Sequence, residues 1–153
     1  MPSANRAFQS DELRNAAEPL FTDVRTVRFQ DIDAAGVVFF PRVLEYLHDA
    51  YMAFLKAQGF DLPRALRESQ YGFPIAHAEA DYLRPLTFGD AITVEIVAAR
   101  VGDTSVTIGY RVRLVQNPQP VCALGQTVHV AIDRQSFRPC PLPDAFRALF
   151  SPG

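Results

Sequence analysis

Residues 29–51 read FQDIDAAGVVFFPRVLEYLHDAY, and the reading of this stretch decides the fold. It opens on Asp31, Asp33 and Gly36, residue types that make turns and cap helices. From Pro41 to Gln58 the pattern turns helical. Val43, Leu47, Ala50, Tyr51 and Phe54 form one apolar stripe, and Leu44, Tyr51 and Leu55 form a second beside it. Pro41 suits a first turn, where its missing N–H is not needed, and Gly59 suits the end. The spacing predicts one long, largely buried helix over 41–58, entered directly from a loop that carries carboxylates.

Working outward, Val24 to Gln30 is rich in β-branched residues and predicts a first strand. Residues 1–20 read as an N-terminal extension with no visible chemistry, in which Ser10 caps a short helix through Ala16. On the other side, Asp61, Leu62 and Pro63 open a short helix toward Ser69, and Ile75 to Leu83 is a strand whose odd positions include His77, Glu79 and Asp81. Ile92, Val94, Ile96 and Ala98 then share one face, as do Val106, Ile108, Tyr110, Val112 and Leu114. Thr93, Glu95, Thr107, Arg111 and Arg113 alternate with them, the pattern of a sheet with one covered face. Gly102 and Asp103 mark a hairpin, residues 117–120 mark the next turn before a strand from Val121 to Ile132, and Asp144 to Phe150 predicts a terminal helix.

The order of strand, long helix, then four strands predicts an α+β fold: a curved antiparallel five-stranded sheet wrapped around one central helix, in a single domain over 21–153. Free strand edges and a polar strand face predict a homo-oligomer.

The 153 residues are 48% apolar and 21% charged, the balance of a packed globular chain. A net charge of −2 without a lysine or arginine run argues against nucleic-acid binding. The longest apolar run, Ala34 to Phe40, is far shorter than the roughly 20 residues a membrane span needs. The first twenty residues mix both charges and lack an apolar signal core, so a cytoplasmic protein is expected. Cys122 and Cys140 have no metal spacing and are expected as free thiols.

A carboxylate beside a helix start has chemical potential. The first N–H groups of a helix lack internal acceptors and lie at its positive end, so they can hold a developing oxyanion. Asp33 can then attack a carbonyl or activate water, which suits acyl transfer. Asp and Gly before a helix are equally ordinary turn residues, and spacing alone does not choose.

The segment 29–51 resembles the active-site segment of the 4-hydroxybenzoyl-CoA thioesterase family of hotdog proteins, with its D-x-D-x-x-G-x-V pattern, aromatics and long helix. The string FPIAHAEADYLRPLTFGDAITV, residues 73–94, resembles the family's second block. Within the family the chain looks most like the 1,4-dihydroxy-2-naphthoyl-CoA thioesterases, through His48 in HDAY, through PIAHA, and through HVAIDRQSFRPCPLP at 129–143. The resemblance implies a hotdog thioesterase acting on a hydroxylated aromatic acyl-CoA without metal or organic cofactor, assembled as a dimer and then a tetramer.

The resemblance also implies roles. Asp33 is the catalytic carboxylate, as nucleophile or base; the Phe40 backbone N–H polarises the thioester carbonyl; Gly36 permits the turn between them; Asp31 is structural. His48 stands where the 4-hydroxybenzoyl enzymes carry an aspartate that reads the ring hydroxyl, a departure that favours a different hydroxylated ring. Tyr51, Phe73 and His77 are further substrate-binding candidates, with Phe39 as another aromatic for the pocket. His129 reads as structural, Glu45 as exposed and Asp49 as a helper at a subunit interface. Arg100, Arg134 and Arg138 are unranked candidates for the CoA phosphates. A thioesterase for 4-hydroxybenzoyl or short aliphatic esters, and a non-catalytic acyl-CoA binder, stay open as alternatives.

Overall fold

The computed structural model describes residues 7–151. Its elements run α1 (Ser10–Arg14), β1 (Phe21–Thr26), a short 3-10 turn (Phe29–Asp31), α2 (Phe40–Ala57), α3 (Leu62–Glu68), β2 (Tyr71–Gly72), β3 (Ile75–Tyr82), β4 (Ala91–Val101), β5 (Ser105–Leu114), β6 (Val121–Val130), β7 (Ile132–Asp133) and α4 (Asp144–Ala148). Five strands form one antiparallel sheet in the order β1-β4-β5-β6-β3, and β2 pairs with β7 in a separate two-stranded ribbon. This is the hotdog arrangement, with α2 lying against the inner face of the sheet.

The stripe on α2 is the reason it is central. Val43, Tyr46, Leu47, Ala50, Tyr51, Phe54 and Leu55 are all buried, and they meet Ile92, Val94, Ile96, Val106, Ile108, Tyr110 and Val112 from the strands. Each fully buried aliphatic side chain contributes about 1.5–3 kcal/mol relative to exposure, so this contact dominates the core. Asp61 caps α3 by accepting from the Arg64 N–H at 3.1 Å.

The first strand differs from expectation. It runs over Phe21–Thr26, and residues 28–31 leave the ladder because Asp31 accepts from the Arg28 N–H and side chain, closing a turn. Val24, a β-branched residue of the expected first strand, is 66% exposed, and the strand is an edge of the sheet. The strand expected through Ile132 ends at Val130, and Ile132 pairs with Gly72 instead.

The outer face of the sheet is covered too. Phe8 and Leu13 pack on Val97 and Leu124, and a Cβ at Gly109 would lie 2.5 Å from Leu13 Cδ2, so glycine there makes the socket. The Gln126 side chain bonds both the N–H and the C=O of Phe8, at 3.3 and 3.0 Å. Arg111 donates to the carbonyls of Arg14 and Ala16 at 3.0 and 2.7 Å, while Arg111 and Arg113 both grip the buried Glu95. Burial would push the Glu95 carboxyl up, but hydrogen bonds from the two guanidinium groups outweigh it and hold it below the usual range. The alternation that predicted one covered face therefore understates the packing. Arg111 and Gln126 are polar residues of the outer face that bind the polar backbone of the covering segment, and the Ser10 hydroxyl also donates to the Asp81 carboxylate on β3 at 3.2 Å. Residues 1–6 of the expected extension lie outside the described residues.

Candidate active site

The loop before α2 is stitched by its own backbone. Asp33 N–H donates to the Val37 carbonyl at 2.8 Å, Gly36 N–H donates to the Asp33 carbonyl at 3.0 Å, and Val38 N–H donates to the Leu86 carbonyl at 2.8 Å. Gly36 has φ +85°, the left-handed region that a side chain disfavours, which lets the loop turn back on itself. Asp31 and Asp33 then diverge. Asp31 is fully buried and accepts from Tyr46 Oη at 2.8 Å and from Arg28. Its burial would raise the carboxyl, yet these donors hold it below its ordinary value.

Asp33 is exposed, and its Oδ1 accepts from the N–H groups of Ala35 and Val37 at 2.9 and 3.4 Å. Oδ2 has no donor among the described residues and is left for other chemistry. Phe39 caps α2, so Phe40 is its first residue, and the Phe40 N–H has no acceptor among the described residues. The Phe40 carbonyl accepts from Tyr82 Oη at 2.8 Å, which ties the helix start to the end of β3.

Asp33 and Phe40 line one cleft of about 370 Å³ with Val37, Val38, Val43, Tyr82, Leu83, Arg84, Pro85, Leu86, Cys122 and Ala123. His48, Tyr51 and Phe73 line a second cavity of about 190 Å³, together with Tyr71, His129 and Phe146 among others. One chain thus brings the five residues into two groups. Gly36 shapes the loop, and His77 lines neither cavity; it stands exposed on β3, 3.2 Å from Glu79.

His129 is closer to the second cavity than its sequence position suggested. Its ring stacks on Tyr51 with centroids 4.2 Å apart, and its Nε2 hydrogen-bonds Thr127 Oγ1 at 2.8 Å, which in turn bonds Tyr110 Oη at 2.9 Å. Burial, with the His48 charge adding to it, pushes its pKa down to about 4, so His129 is neutral at pH 7. Asp49 is held by Arg25 at 2.7 Å, and the exposed Glu45 by Arg42 at 2.8 Å. Cys122 and Cys140 are both free thiols.

A carboxylate oxygen and an unbonded helix-start N–H in one apolar cleft are groups that can support acyl transfer, since a carboxylate can serve as base or nucleophile and a free N–H can receive a developing oxyanion. The thioesterase-like superfamily matches residues 27–150, and the chain belongs to that superfamily. It is a thioester hydrolase.

A 1,4-dihydroxy-2-naphthoyl-CoA hydrolase from Rippkaea orientalis is 42% identical over 79% of this chain and 88% of its own. One from Nostoc punctiforme is 40% identical over 81% and 82%. The solved structure of a 1,4-dihydroxy-2-naphthoyl-CoA thioesterase from Synechocystis covers 85% of this chain and 94% of its own, with TM-score 0.80 and 28% identity. A gentisyl-coenzyme A thioesterase structure covers 85% and 99%, with TM-score 0.74 and 28% identity.

Proposed function

We propose that the protein hydrolyses 1,4-dihydroxy-2-naphthoyl-CoA to the free acid and CoA, with Asp33 as the catalytic carboxylate. The observation that carries this reading is the shared cleft of Asp33 and the unbonded Phe40 N–H. Asp33 Oδ2 either attacks the thioester carbonyl, expelling CoA thiolate and leaving an anhydride for water to open, or takes a proton from water as it attacks. In both routes the carbonyl oxygen gains charge beside the Phe40 N–H. The names of the relatives at about 40% identity support the naphthoyl group.

The ring is read by His48, Tyr51 and Phe73, and these come from a second copy of the chain. Along α2, His48 lies about 12 Å beyond Phe40, at 1.5 Å per residue, and in one chain it lines the other cavity. β3 is a sheet edge, and Phe39, Phe40, Tyr82 and Leu83 expose apolar surface at the end of it that lies by the cleft. Pairing through that edge buries this surface and joins the two half-sites. No helix of the described residues is long and apolar enough to cross a membrane, and the protein is read as cytoplasmic.

A panel of 1,4-dihydroxy-2-naphthoyl, 4-hydroxybenzoyl, gentisyl and short aliphatic CoA esters, followed by thiol release, tests the substrate. Preference for aliphatic esters contradicts the naphthoyl assignment. Mixing Asp33→Asn with His48→Ala subunits tests the shared site: activity returns if the two groups come from different copies, and stays lost if one copy supplies both.

A further inference from the structure

Of the residues lining the Asp33 cleft, only Asp33 and Arg84 carry formal charge at neutral pH. The Arg84 side chain makes no hydrogen bond or ion pair with any described residue, although its backbone is fixed. The N–H groups of Leu83 and Arg84 both donate to the Cys122 carbonyl, at 2.9 and 3.1 Å, and Pro85 follows. An anchored backbone with an unpartnered guanidinium is an arrangement for binding a ligand anion.

The arginines that sequence alone put forward are engaged or lie elsewhere. Arg100 sits over the Phe8 ring at 4.9 Å on the outer face. Arg134 donates to the carbonyls of Leu66 and Ser69. Arg138 follows β7 and does not line the cleft.

The cleft is graded. Val38, Val43, Leu86, Cys122 and Ala123 are buried and make an apolar floor, while Arg84 is exposed at the rim. An acyl thioester inserted carbonyl-first against Phe40 leaves the polar arm of its thiol at that rim. We propose that Arg84 binds a phosphate of the CoA arm and supplies much of the affinity for the CoA half of the substrate. This rests on the reading of the Asp33 cleft as the thioester site. A guanidinium holds phosphate through paired N–H donors, and a protein of net charge −2 needs a local cation to attract a polyanionic ester.

The test compares wild type, Arg84→Gln and Arg84→Lys on the CoA ester that wild type turns over fastest and on the pantetheine ester of the same acid, which lacks phosphate. Arg84→Gln is expected to raise KM for the CoA ester about tenfold, the effect of one lost charge-assisted bond, and to leave KM for the pantetheine ester unchanged. Arg84→Lys falls between. An unchanged KM on the CoA ester, or equal losses on both esters, overturns the proposal.

Calorimetric titration of free CoA against free pantetheine reads the same contact without turnover. Weaker CoA binding by Arg84→Gln with unchanged pantetheine binding supports it, and equal CoA binding by both proteins overturns it. Wild type that binds CoA but hydrolyses no ester contradicts the proposed function and leaves the Arg84 result readable. The thermal midpoint of Arg84→Gln is expected to match wild type, since the side chain has no protein partner to lose.

Discussion

Tyr46 donates its hydroxyl to Asp31 Oδ2 at 2.8 Å, and this bond fastens the loop that carries Asp33 to the middle of α2. Two aspartates separated by a single residue are thereby given opposite tasks, one buried and bonded, the other exposed with a free oxygen. Replacing Asp31 by alanine strands a buried tyrosine hydroxyl and frees Arg28, and is expected to cost about 3 kcal/mol in chemical denaturation. Asp33→Asn keeps size and shape at an exposed position and should stay within about 0.5 kcal/mol of wild type. The same pair of variants should separate in activity in the other order, with Asp33→Asn the more damaging per unit of stability lost.

Leu13 reports on the segment over the outer face. It is 2% exposed and fills the space above Gly109, so Leu13→Ala should destabilise by about 2–3 kcal/mol and leave KM unchanged. Thermal unfolding and steady-state kinetics measured on one preparation check both halves. Gly109→Ala attacks the same contact from below, because its Cβ displaces Leu13, and a loss of similar sign is expected.

How much of this was legible in the sequence differs by element. The alternation in β4 and β5 and the stripe on α2 are strong periodic signals, and they give the architecture. The contact of Phe8 and Leu13 with the sheet was hidden, because Thr107 and Arg111 read as a solvated face when both are buried and Arg111, like Gln126, binds another segment's backbone. At the site, Asp33 and Phe40 line one cleft; it was the family resemblance that paired them, because spacing alone did not separate a catalytic aspartate from an ordinary turn residue. Arg84 went unseen because nothing local distinguishes it from other exposed arginines; only its neighbours across the fold do. Tyr82 had a signal, its position two residues after Ala80, which packs against the core, so that strand alternation puts both on the helix side.

His129 predicts a pH dependence with a definite sign. Its folded pKa is about 4, against an ordinary 6.5, so the unfolded chain takes up a proton first as pH falls. The stabilisation from a neutral His129 is complete above about pH 6.5 and is lost progressively toward pH 4, reaching about 3 kcal/mol. Denaturant midpoints measured from pH 8 to 4.5 should fall, and His129→Gln should flatten that slope. Asp31 and Glu95, both held below their usual range, add a further loss at lower pH still, as their carboxylates protonate.

The central claim is that Asp33 performs the hydrolysis. Its most direct measurement is kcat/KM of wild type and Asp33→Asn on 1,4-dihydroxy-2-naphthoyl-CoA, followed by thiol release at neutral pH, with both proteins shown to be equally folded. A nucleophile or general base that is lost should lower the rate by at least about 10²-fold, with KM little changed. Hydrolysis by Asp33→Asn at the wild-type rate contradicts the account.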